Sequence, residues 1–228
     1  MISTVTEYVQ KDPQLALYAE HMNMLMIEND STLAEFKLSI SQKYKRHRLR
    51  LLILLGNPAL LMRDEYRELW GDIPIVLCSE ENYLGPQETY TKKQAIATAD
   101  RTPLTQLADP YNMVLLYSNL YLDENIQLIC HIVPEIKKFI FIGDARQINQ
   151  TNNLDIRNKL KKTHPNVEYQ FITPQDMTTN QLLDSLYFVD PKTTGVLFSS
   201  WFYKTTFAGN TSLVSNAHKL IGTTAAPI

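Results

Sequence analysis

Four short polar stretches hold the side chains best suited to chemistry: Gly56-Asn57-Pro58, Ser79-Glu80-Glu81-Asn82-Tyr83, Gly143-Asp144-Ala145-Arg146-Gln147 and Ser199-Ser200-Trp201. Each follows an apolar run and precedes a helical pattern. In a parallel sheet such tips lie at the carboxyl ends of the strands, where open α/β folds bind ligands. Glu80 and Asn82 supply a carboxylate and an amide for a polar or cationic ligand, and a small-molecule site uses a few such groups among apolar walls. Arg146, just before a helix start, favours an anionic group. Ser200 offers a hydroxyl, and Trp201 a flat ring that stacks on a planar ligand face. With Asn57 and Asp144 these make the candidate ligand-binding set: Asn57, Glu80, Asn82, Asp144, Arg146, Ser200 and Trp201. Each has a plainer alternative: a solvated loop for Glu80 and Asn82, a helix N-cap for Asp144, ordinary packing for Trp201.

No tip carries a recognisable catalytic set. Neighbouring Glu80 and Glu81 would diverge on an extended chain, so they are not an acid/base pair. Ser199 and Ser200 lack the G-x-S-x-G elbow. Gly143 lacks the further glycines of a dinucleotide fingerprint, and there is no Walker A loop. The histidines, His21, His47, His131, His164 and His218, are scattered without metal-ligand spacing. No catalytic residue, metal or cofactor is expected. A small α/β hydrolase or transferase using the Ser and Glu tips is the distant alternative, and it needs a nucleophile–base–orienter geometry.

The elements that must position these tips read as alternating strands and helices. Ser3–Gln10 has a helical pattern, Leu15–Tyr18 reads as a short strand, and Ser31 as the N-cap of a helix carrying Leu33, Phe36, Ile40 and Tyr44 on one stripe. Arg50–Leu55 is a continuous apolar run of the kind found in sheets covered on both faces. Ile73–Cys78 is the next strand, and Met113–Tyr117 reads as the crossover between halves. Leu122 to Ile136 is strongly helical, followed by a strand at Phe139–Ile142, a helix over Gln147–Thr163, alternation at Val167, Tyr169 and Phe171, a helix through Leu182 to Val189, a strand at Gly195–Phe202 and a last helix through Leu213 and Ile221. Strands alternating with helices of this length mean βαβ units and parallel sheets. Two tips fall in each half, which predicts an N-terminal α/β lobe over 1–115 and a C-terminal one over 116–228, facing each other across a cleft.

Lys plus Arg number 22 and Asp plus Glu 24, a formal net charge of −2. That balance excludes a general nucleic-acid binder, which shows a strong basic excess. The run Lys43–Arg48 reads as a solvated helix end. Cys78 and Cys130 read as buried free thiols. No secretory signal or membrane span is visible. The chain reads as a piece of a longer protein, truncated at both ends, so any membrane contact would run through segments outside it.

The stretch Asn57-Pro-Ala-Leu-Leu-Met-Arg-Asp-Glu-Tyr-Arg-Glu-Leu-Trp-Gly-Asp-Ile-Pro-Ile-Val-Leu-Cys78 resembles the type I periplasmic-binding-protein fold, more narrowly the ABC-transporter-substrate-binding-like family. Ile132–Asp144 is similar to the start of that family's second lobe, and Thr194–Phe202 to a later strand with its cleft-facing tip. The resemblance is nearest to extracytoplasmic sensor domains of bacterial hybrid two-component histidine kinases. It implies two Rossmann-like lobes, a small-molecule ligand held between them, signalling by lobe closure, and a periplasmic or extracytoplasmic location within a membrane-anchored protein. The kinase itself would lie outside this chain. A solute-binding protein serving an ABC transporter is the alternative. The resemblance also leaves open a homodimer formed through the Leu33-Phe36-Ile40 stripe, which otherwise belongs to the core.

Overall fold

In the computed structural model, residues 2–201 and residues 222, 226 and 227 are described. Helix α1 (Ile2–Val9) leads through an exposed segment to α2 (Asp30–Tyr44). Then follow β1 (Leu52–Leu55), a 3-10 stretch over Asn57–Met62, α3 (Arg63–Trp70) and β2 (Ile75–Ser79). The long connection after β2 holds β3 (Tyr83–Leu84), α4 (Gln87–Thr91), β4 (Thr102–Pro103) and α5 (Thr105–Ala108), and ends in β5 (Met113–Tyr117). The remainder is α6 (Leu122–Ile132), β6 (Lys138–Ile142), α7 (Gln147–Thr163), β7 (Glu168–Ile172), α8 (Thr179–Tyr187) and β8 (Thr194–Phe198).

The result is a mixed α/β structure with two parallel three-stranded sheets, ordered β1-β2-β5 and β7-β6-β8, plus the small antiparallel pair β3-β4. In the second sheet the order reverses: β6 to β7 steps one way, β7 to β8 crosses back to the other side. Right-handed crossovers then put α7 and α8 on opposite faces. The alternation of β6 follows: Phe139 and Phe141 pack with Ile126, Ile129, Ile156 and Leu160 of α6 and α7, while Ile140 and Ile142 pack with Leu182 and Leu186 of α8. Gly195 sits where β8 meets α6, and a Cβ there would lie 2.2 Å from Ile129.

In the first sheet both steps run the same way, so right-handed crossovers put the connecting structure on one face. Leu54, Ile75, Leu77 and Met113 pack there against Leu33, Leu60 and Tyr66. The opposite face carries Leu51, Ile53, Leu55, Val114 and Leu116, which stay 39–60% exposed. The continuous apolar run at β1 therefore does not mean a sheet covered on both faces among the described residues.

Other expectations are also corrected. Leu15–Tyr18 is exposed and pairs with no described strand; Tyr18 instead sets its ring edge against Tyr44 and His47. Met113–Tyr117 is no crossover but the third strand of the first sheet, in register with Ile75–Ser79, and so runs across the expected boundary at 115/116. Helix α2 is capped by Asn29, which accepts the Thr32 N–H at 2.9 Å and returns its own N–H to the Thr32 hydroxyl, so Ser31 lies inside the helix. Its Leu33 and Ile40 are buried in the core. Both cysteines are free and partly exposed rather than buried. The last helix, through Leu213 and Ile221, lies outside the described residues.

Candidate functional site

Glycine and the strand ends set the geometry of the second sheet's tips. The order reverses between β6 and β8, the position where doubly wound sheets bind ligands at their carboxyl ends. Asp144 leaves β6 there and Ser200 leaves β8, and the Ser200 hydroxyl donates to Asp144 at 2.7 Å. Asp144 has no exposed surface. It also accepts the Arg146 backbone N–H at 2.8 Å, Arg146 Nε at 3.0 Å and Asn149 Nδ2 at 2.9 Å, and pairs with Arg146 Nη2 at 2.8 Å. Asn149 Nδ2 reaches Ser200 Oγ at 2.8 Å as well. Gly143 makes room for this: a Cβ would stand 3.0 Å from the Asn149 side chain. Asn149 Oδ1 is buried with no hydrogen-bond partner among the described residues.

Asp144 is thus not the N-cap of α7. The cap is Arg146, without a side-chain cap bond, and Asp144 bends the chain two residues ahead of the helix. Arg146 meets its charge partner in Asp144 yet keeps 36% of its side chain exposed. Among the described residues the partners of Ser200 are Asp144 and Asn149, not a histidine. Trp201 is buried, donating its indole N–H to Thr179 Oγ1 at 3.1 Å. It packs in the α8-side core, so its ring faces protein.

At the tip of the first sheet, the buried residue is Glu81, while Glu80 and Asn82 on either side are exposed. Ile75, Leu77 and Ser79 point inward from β2, and Glu81 keeps their alternate phase. Asn57 is buried and braces this loop: its amide donates to the carbonyls of Glu81, at 3.3 Å, and Tyr83. The Ser79 hydroxyl bonds Asn57 Oδ1 and the Glu81 carbonyl. Tyr83 donates to Glu81 Oε1 at 2.9 Å. Burial pushes the Glu81 carboxyl above its ordinary range, while hydrogen bonds from Tyr83 and Gln147 and the charge of Arg101 pull the other way.

Gln147, at the start of α7, connects the two tips. Besides acting on Glu81, its amide donates to Thr151 Oγ1 at 2.8 Å, and Thr151 accepts the backbone N–H of Ile96 at 2.9 Å. Further along α7, Asp155 takes Arg101 Nη2 at 2.8 and 2.9 Å on its two oxygens. Arg101 lies 4.5 Å from the Tyr83 ring centroid and also donates to the Ile96 carbonyl. The β2–β5 connection and α7 are therefore joined at two places, Ile96 N–H to Thr151 and Arg101 to Asp155.

Of the seven sequence-derived candidates, Asp144, Arg146 and Ser200 meet in one cluster. Asn57 belongs to the Glu81 loop, Glu80 and Asn82 are solvent-facing, and Trp201 is core. Sequence reasoning passed over Glu81, Arg101, Gln147, Asn149 and Asp155. The phase of β2 was the available signal for Glu81. Among the described residues no group of His, Cys, Asp and Glu is arranged to hold a metal, and no helix is long and apolar enough to cross a membrane. No family model, curated protein or solved structure matches the chain.

Proposed function

We propose that this chain is an extracytoplasmic ligand-sensing domain of a two-component sensor histidine kinase, in which two α/β lobes close on a small molecule. The observation that carries the reading is the convergence of the polar β2–β5 connection on α7, where the Ile96 N–H donates to Thr151 and Arg101 pairs with Asp155 beside the buried Glu81 tip. The Asp144–Ser200 pair stands beside it at the reversal point of the second sheet. Glu80 and Asn82 flank Glu81 with free outer faces, and Arg146 adds a partly exposed cation. A ligand contacting both tips would favour the arrangement in which they meet. It can bias signalling only by its differential affinity for the closed and open states. The sensor assignment and the location rest on the family resemblance.

A thermal-shift screen of the chain against sugars, amino acids, nucleosides and small organic acids tests this, run beside Glu80→Ala and Arg146→Gln. A ligand at about 100 times its dissociation constant adds roughly 2.7 kcal/mol of stability. A shift in the parent that both variants lose supports the reading. A cooperative melt unmoved by every class of compound, or a shift that both variants keep in full, overturns it.

A further inference from the structure

A separate concavity lies on the flank of the second sheet. Among the described residues strand β7 is an edge strand, and α7 covers it incompletely, leaving a groove of about 460 Å³ between them. Its apolar floor is Leu160, Tyr169 and Phe171. Alternation along β7 brings Tyr169 and Phe171 to the same side. Phe171 is held by stacking on Phe141, with ring centroids 5.1 Å apart, and Tyr169 by donating to Asn153 Oδ1 at 2.8 Å.

The rim is cationic. Arg157 and Lys161, one helical turn apart on α7, line the groove. Neighbouring cations are matched: Lys159 by Asp123, Lys138 by Glu168, Arg101 by Asp155. Arg157 and Lys161 form no ion pair among the described residues. Arg157 lines the same groove as Tyr169 and Phe171. A helix C-terminus accounts for Lys161, in the last turn of α7. It accounts for neither Arg157 nor the partly buried rings of Tyr169 and Phe171 below it.

We infer that this groove binds a small organic anion with a planar apolar body, an aromatic carboxylate in chemical class. The guanidinium fork would meet the carboxylate with paired hydrogen bonds, and the ring would lie against Tyr169 and Phe171. The volume falls within the ~300–1,000 Å³ of small-molecule pockets. This inference does not depend on the sensor reading.

The test titrates naphthalene-2-carboxylate into the ¹⁵N-labelled chain, with naphthalene-2-carboxamide as the neutral counterpart, in the parent and in Arg157→Gln/Lys161→Gln. Both substituted residues are exposed, so the fold is expected to survive, and an unchanged melting temperature checks this. The carboxylate should shift amides between Asn153 and Phe171 and bind about tenfold more tightly than the carboxamide, with the double variant losing about tenfold in affinity. Equal binding of the two compounds, unchanged affinity in the variant, or shifts confined to the exposed face of β1, β2 and β5 would overturn the inference. So would the lack of any shift up to about 10 mM, a level that saturates a millimolar site.

Discussion

Arg101 grips both carboxylate oxygens of Asp155, at 2.8 and 2.9 Å, with its guanidinium 4.5 Å from the centre of the Tyr83 ring. One side chain thus ties the β2–β5 connection to α7. The pair is only partly exposed, 18% for Arg101 and 32% for Asp155, so its strength lies between that of a surface bridge and a buried one. A double-mutant cycle with Arg101→Ala and Asp155→Ala, followed by urea unfolding, should give a coupling energy of about 1 kcal/mol. Arg101→Ala should cost more than Asp155→Ala, because only Arg101 also covers Tyr83 and bonds the Ile96 carbonyl. Additive single effects would mean that the pair does not fasten these elements.

Glu81 makes the fold sensitive to pH. Its folded pKa is raised above the ordinary 4.5 by burial, so the folded state holds this proton more tightly than the unfolded one. The stabilising contribution is complete below the unfolded pKa and is lost as pH rises through the raised folded value. Glu81→Gln keeps an acceptor for Tyr83 and removes the charge. The gain in melting temperature from the variant should be small near pH 4 and grow toward pH 7 (approximate limits set by the ordinary carboxyl pKa). A difference independent of pH would show that Glu81 is not the titrating group.

Much of this arrangement was legible in the residues, unevenly. Strand β6 stands out because Phe139–Ile142 is apolar and covered on both faces, and helix α7 because Ile156 and Leu160 fall one turn apart in a long polar segment. Leu15–Tyr18 carries the same local signal as a strand, yet strand pairing is decided by partners distant in sequence. The same limit hid Arg101 and Asp155, which are 54 residues apart. Glu81 was within reach: continuing the inward phase of Ile75, Leu77 and Ser79 selects it over Glu80 and Asn82. Continuity of the apolar run at β1 misled, because whether a second face is covered depends on the direction of the crossovers, which the run itself does not encode.

The two faces of the first sheet should respond oppositely to substitution. Leu77 is fully buried against the helices, whereas Leu116 is 53% exposed on the other side. Leu77→Ala should cost about 2–5 kcal/mol in urea unfolding, the range for buried leucines. Leu116→Thr should stay within about 0.5 kcal/mol of the parent, as surface changes do, and should lower binding of a hydrophobic dye. A cost for Leu116→Thr comparable to that for Leu77→Ala would mean that this face is covered in solution.

At the reversal point of the second sheet, the load falls unequally on Asp144 and Ser200. Asp144 accepts from Arg146, Asn149 and Ser200 at once and is wholly buried. Removing it strands donors of three residues, Arg146, Asn149 and Ser200, and because Arg146 stays partly exposed the cost should fall at the lower end of the roughly 3–5 kcal/mol for breaking a buried pair. Removing the Ser200 hydroxyl leaves Asp144 its other donors, so Ser200→Ala should cost about 1 kcal/mol. Asp144→Asn keeps the shape but substitutes an amide for the carboxylate facing Arg146, and should fall between the two. Unfolding of all three variants in urea checks the order. Asp144→Ala no costlier than Ser200→Ala would show that Arg146 and Asn149 find other partners, and that the cluster does not depend on its carboxylate.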